Sequence, residues 1–172
     1  LKLFLLRRLR VKPTTGGRYI NSRTATMNFD EAQGSYPAQW MQAAADSIGL
    51  ELYADALTGL KAGDAKNAKE KAYCQILLSE AHSGMYDFKQ AKACAEKALA
   101  EVVKSPDKKL EGLAMHALAK VKAAMCDWAG AIDLSDEVLS LYQGQNFKLG
   151  EAATMLTKAK AQSGKDLKQD AV

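Results

Sequence analysis

The stretch GMYDFKQA at residues 84–91 is echoed 40 residues later by AMCDWAGA at 124–131. Both contain Met, a spacer, Asp, an aromatic residue, two spacers and Ala. Their flanks repeat as well. Upstream lie AYCQILLSEAHS (72–83) and GLAMHALAKVKA (112–123), and a third copy, GEAATMLTKAKA, occupies 150–161. The second and third copies pair Gly112 with Gly150, Leu118 with Leu156, Lys120 with Lys158 and Lys122 with Lys160, at a spacing of 38. Self-similarity at a period between about 20 and 50 residues marks an array of stacked units, none of which buries its apolar face alone.

Each unit carries two helical patterns. Tyr73, Ile76, Leu77, Leu78 and Ala81 follow helix spacing, and so do Ala91, Cys94, Ala95, Ala98 and Val102 after a turn. Asp87 is placed to cap the second helix, with Gln90 three residues on to complete a capping box. Asp127 can cap at the same place. Asn67 with Glu70 gives a box before the first unit, Ser105-Pro106 reads as a cap followed by Pro at the first helical position, and Asn146 opens the third unit. The aromatic after each Asp, Phe88 or Trp128, is expected in the elbow between the two helices. The segment 36–66 is also helical in pattern, with Gly49 as a break. Ala, Leu and Lys dominate and there are three prolines, which suits helices.

The 172 residues suffice for one domain whose core needs neither disulfides nor metals. Cys74, Cys94 and Cys126 form no CxxC pair and lie in Ala-rich segments, so they read as reduced packing residues. The opening run LKLFLL is far shorter than the ~20 apolar residues a bilayer crossing needs, so no transmembrane segment is expected.

Charge divides the chain. Residues 1–29 hold seven of the 24 basic residues (Lys2, Arg7, Arg8, Arg10, Lys12, Arg18, Arg23) and none of the 20 acidic ones, which leaves 17 against 20 in the remainder. A uniformly basic nucleic-acid-binding domain is thereby excluded. The expected organisation is a basic, mostly irregular arm at 1–35 with a short amphipathic helix at 2–11, a helical array at 36–163 and a polar tail at 164–172. The Arg-rich, acid-free arm resembles an organellar transit peptide, favouring mitochondrion or plastid over cytoplasm. The alternative is a retained arm lying on an acidic protein surface or on RNA.

The repeated residues resemble the tetratricopeptide repeat family in its longer variety of about 40 residues. Leu78 and Leu118 with small neighbours Ser79 and Ala119, the Asp-aromatic turn, and Ala91/Ala98 or Ala131/Val138 carry the resemblance over residues 66–163, with a weaker extension back to about 37. Gln75 and Met115 stand where the family has Trp. The resemblance implies an all-α fold, a right-handed α-solenoid of antiparallel helix pairs, serving as a docking scaffold without catalytic activity. It implies a groove lined by Tyr73, Ile76, Glu80, Leu113, His116, Lys120, Glu151, Thr154 and Lys158. The family's chaperone-carboxylate clamp is not expected, because Ile76 and Glu80 stand where it needs Lys and Asn, and Glu80 would repel a carboxylate.

Little in the sequence carries chemistry. His82 and His116 fall in no metal-binding spacing, and no cofactor is expected. The SGK at 163–165 lacks the upstream glycine of a phosphate loop. A Cys126–His116 pair is the remaining catalytic arrangement, and it requires approach within about 3.2 Å. The expectation is therefore a non-enzymatic scaffold within a larger protein assembly, the alternative being an RNA-associated subunit whose arm contacts phosphates.

Overall fold

The computed structural model describes residues 36–103 and 107–169, which are helical with no strand among them. The helices are α1 (Gln39–Gly49), α2 (Tyr53–Ala62), α3 (Ala68–Gly84), α4 (Phe88–Val102), α5 (Lys108–Ala124), α6 (Trp128–Gly144) and α7 (Lys148–Gln169). The basic arm, from Lys2 to Arg23, and the Ser105-Pro106 cap lie outside the described residues.

Helices α3 to α7 start on a strict ruler. Asn67, Asp87, Asp107 and Asp127 each accept a hydrogen bond from the backbone N–H three residues on, at 2.9–3.2 Å. These carboxylate and amide oxygens satisfy N–H groups that have no partner within the helix. Glu70 completes the first cap by reaching back to the Asn67 side chain and to the Lys66 N–H. Phe147 stands in the fifth equivalent place, its carbonyl accepting from the Glu151 N–H at 3.0 Å. Cap positions 67, 87, 107, 127 and 147 are thus 20 residues apart, and a full helix pair spans 40.

Four three-residue turns have one geometry. Glu51, Tyr86, Cys126 and Asn146 adopt φ of 61°, 62°, 62° and 51°, the left-handed conformation that ends many helices. In each turn this residue's N–H donates three residues back, as Tyr86 does to Ser83 O, and the next N–H donates five residues back, as Asp87 does to His82 O. Asn146 therefore closes α6 rather than opening α7. Tyr86, 81% exposed, and Cys126, also exposed, are turn residues and not packing residues.

The structural period corrects the sequence alignment. With caps 40 residues apart, Gly112 is equivalent to Ala152 and Lys120 to Lys160. Gly112 and Gly150, 38 residues apart, both lie against the ring of the fully buried Tyr142 in α6, and Gly150 lies closer still to the Phe147 ring. Tyr142 also meets the buried Phe147 edge-on, with ring centroids 5.0 Å apart.

Neighbouring helices pack in chain order, and the odd-numbered helices also pack on one another: α1 on α3, α3 on α5, α5 on α7. Helix α5 is buried on nearly every side, through Leu110, Leu113, Ala114, Ala117, Leu118 and Val121 among others. Such a helix behaves as core, with each large apolar side chain contributing roughly 1.5–3 kcal/mol over its exposed state. The expected polar tail at 164–172 begins inside α7, which continues to Gln169 because Gly164 packs against the Trp128 ring.

Candidate docking face

Glu80 of α3 and Lys120 of α5 form the ion pair that links two odd-numbered helices at the expected groove, with Nζ 2.5 Å from Oε1. Both side chains keep partial exposure, 23% for Glu80 and 35% for Lys120. They hold the same place in their units, 40 residues apart, which is why adjacent helices bring them into contact. Ile76, one turn before Glu80, is half-buried against the core.

Four residues expected on an open groove are packed inside instead. Tyr73 meets Tyr36 edge-on at 5.9 Å, and burial, followed by the Asp107 carboxylate, raises its phenol pKa. Leu113 is buried in the same core. Thr154 is fully buried and donates to the Gly150 carbonyl at 2.8 Å. His116 lies between α5 and α7, its Nε2 2.9 Å from Thr157 Oγ1. Burial, with the Lys120 charge adding to it, lowers the His116 pKa to about 3, while a backbone hydrogen bond to Ala153 opposes the shift. The imidazole is therefore neutral at ordinary pH.

The third-unit residues Glu151, Thr154 and Lys158 follow Leu113, His116 and Lys120 at a spacing of 38. Two residues along a helix is a rotation of about 200°, so a slip of two moves a side chain to the opposite face. Glu151 pairs with Lys148 at 2.9 Å, and Lys158 reaches Asp136 of α6. In the 40-residue register the equivalents of Leu113, His116 and Lys120 are Ala153, Leu156 and Lys160. Leu156 is 43% exposed and Lys160 is exposed. Sequence reading missed both, although the ruler of capping residues from Asn67 to Asp127 carried the correct register.

The Cys126–His116 arrangement is not assembled. His116 sits eight residues before the end of α5, a rise of about 12 Å, and faces α7, while Cys126 is exposed in the turn beyond that end. Cys74 and Cys94 are buried, and burial raises both thiol pKa values, as expected of inert packing residues. Among the described residues no group of three or more His, Cys, Asp or Glu side chains could hold a metal ion. No described helix is long and apolar enough to cross a membrane.

Comparison with family models, curated proteins and solved structures gives no match to this chain.

Proposed function

We propose that the chain is a docking scaffold: an α-solenoid of helix pairs, similar to tetratricopeptide repeats, that holds a segment of a partner protein within a larger assembly. The observation that carries this reading is the stacking of α1 on α3, α3 on α5 and α5 on α7. The 40-residue interval from α3 to α5 to α7 lines up Ile76/Glu80, His116/Lys120 and Leu156/Lys160 along one side of these helices, with His116 buried under α7 and the other five at least partly exposed. Each repeat then contacts chiefly its neighbours, the arrangement from which extended concave binding surfaces arise. The mixed apolar and charged character of this side suits a helical or extended protein segment.

The test uses residues 1–172 beside residues 30–172, each incubated with native extract and washed at low and at high salt, with the charge-reversed Glu80→Lys chain as a third sample. A protein retained by both lengths at high salt and weakened by Glu80→Lys supports docking on this side. RNA recovered with the longer chain alone, and lost at high salt, would instead place the function in the basic arm, because phosphate contacts release counterions and weaken steeply with salt.

A further inference from the structure

The side of the odd helices that is covered on α3 and α5 is uncovered on α7. His116 of α5 faces α7, reaching Thr157 Oγ1 at 2.9 Å and the Ala153 backbone. Its equivalent on α7, Leu156, is 43% exposed. Around it Leu149, Ala152, Met155 and Ala159 are also exposed, so α7 presents apolar residues along three turns away from α5 and α6. A surface helix whose second side is also apolar is built to be covered there.

Charge narrows what covers it. Within the array, Lys120 takes the Glu80 carboxylate of the preceding odd helix. Lys160, one unit on, has only Lys120 at the equivalent place on its preceding helix, and that lysine is already engaged. Helix α7 as a whole carries five lysines, at 148, 158, 160, 165 and 168, against Glu151 and Asp166. Lys148 and Lys158 are paired with Glu151 and Asp136, which leaves Lys160 beside the apolar strip to receive a carboxylate from outside.

We infer that the exposed side of α7 docks an acidic amphipathic helix of a partner protein, with its apolar side on Leu149, Ala152 and Leu156 and a carboxylate on Lys160. This site is the α7 end of the side that carries Glu80 and Lys120 and rests on that reading, and its variants at Leu156 and Lys160 are read separately from Glu80→Lys. The partner helix takes towards α7 the place that α7 takes towards α5, so an interface already used inside the chain is repeated with an outside segment.

Two synthetic helical peptides of identical Leu/Ala pattern, one flanked by glutamates and one by lysines, test this against the full chain by calorimetry. The glutamate peptide is expected to bind at least tenfold more tightly. Leu156→Ser is expected to weaken it tenfold or more, and Lys160→Glu to cancel or invert the preference, with far-UV circular dichroism unchanged because both side chains are exposed. Equal binding of the two peptides, or no binding by either below ~1 mM, overturns the inference. So does self-association of the parent chain that Leu156→Ser abolishes, since the occupant would then be a second copy.

Discussion

Tyr142 of α6 fills the space beside Gly112 of α5: a Cβ on Gly112 would come within 2.3 Å of the Tyr142 ring and 2.9 Å of Leu141. The ring is fully buried and cannot move aside. Gly112→Ala should therefore destabilise the chain by up to about 2 kcal/mol, an overpacking cost of about 1–3 kcal/mol outweighing the ~1 kcal/mol of helix propensity gained. Gly59, in the middle of α2 with nothing near an added Cβ, is the control. Gly59→Ala should stabilise by up to about 1 kcal/mol. Urea unfolding of the two variants measures both signs.

The left-handed turn residues give a second test. Cys126 is exposed at φ 62°, where a side chain is strained against the following carbonyl. Cys126→Gly should raise stability by roughly 1 kcal/mol, while β-branched Cys126→Val should lower it by at least as much. Thermal unfolding of the matched pair would contradict this account of the turns if both variants moved the same way.

His116 predicts a pH dependence. Its pKa is about 3 in the folded chain against an ordinary 6.5, so between these values the unfolded chain binds a proton that the folded chain excludes. The contribution is fully present above pH 6.5 and declines as pH falls towards 3, by up to about 1.4 kcal/mol per pH unit. The groups facing it are Lys120 on its own helix and, from α7, Thr157 and the Ala153 backbone. Between neutral pH and about pH 5 the parent should lose stability relative to His116→Leu, read as the change in the difference between their unfolding free energies.

Capping residues separate local from tertiary effects. Asp127→Ala removes Oδ1, which accepts from the Gly130 N–H, and Oδ2, which accepts from Lys122 Nζ, and should cost about 1 kcal/mol. Asp107 caps α5 and also pairs with Lys69 of α3 at 3.2 Å. Asp107→Asn should retain most of the cap while loosening that link by less than about 1 kcal/mol, and Asp107→Ala should lose both. Denaturant midpoints for the three variants would rank them; equal losses for Asp107→Asn and Asp107→Ala would contradict the capping role.

By itself the sequence determined the local grammar. Apolar residues at helix spacing set the helices, Asn67, Asp87 and Asp127 set where three of them start, and the echo at 84–91 and 124–131 set the 40-residue unit. These features depend on a few neighbouring residues and elementary backbone hydrogen bonding. Register and exposure were decided by tertiary packing. Tyr142 crowds Gly112, and Phe147 with Tyr142 crowds Gly150, so glycines recur 38 residues apart although the capping positions do not follow that spacing. Likewise, His116 and Leu156 hold equivalent places in their helices, and tertiary packing decides their exposure: α7 lies over His116, whereas Leu156 on α7 stays 43% exposed.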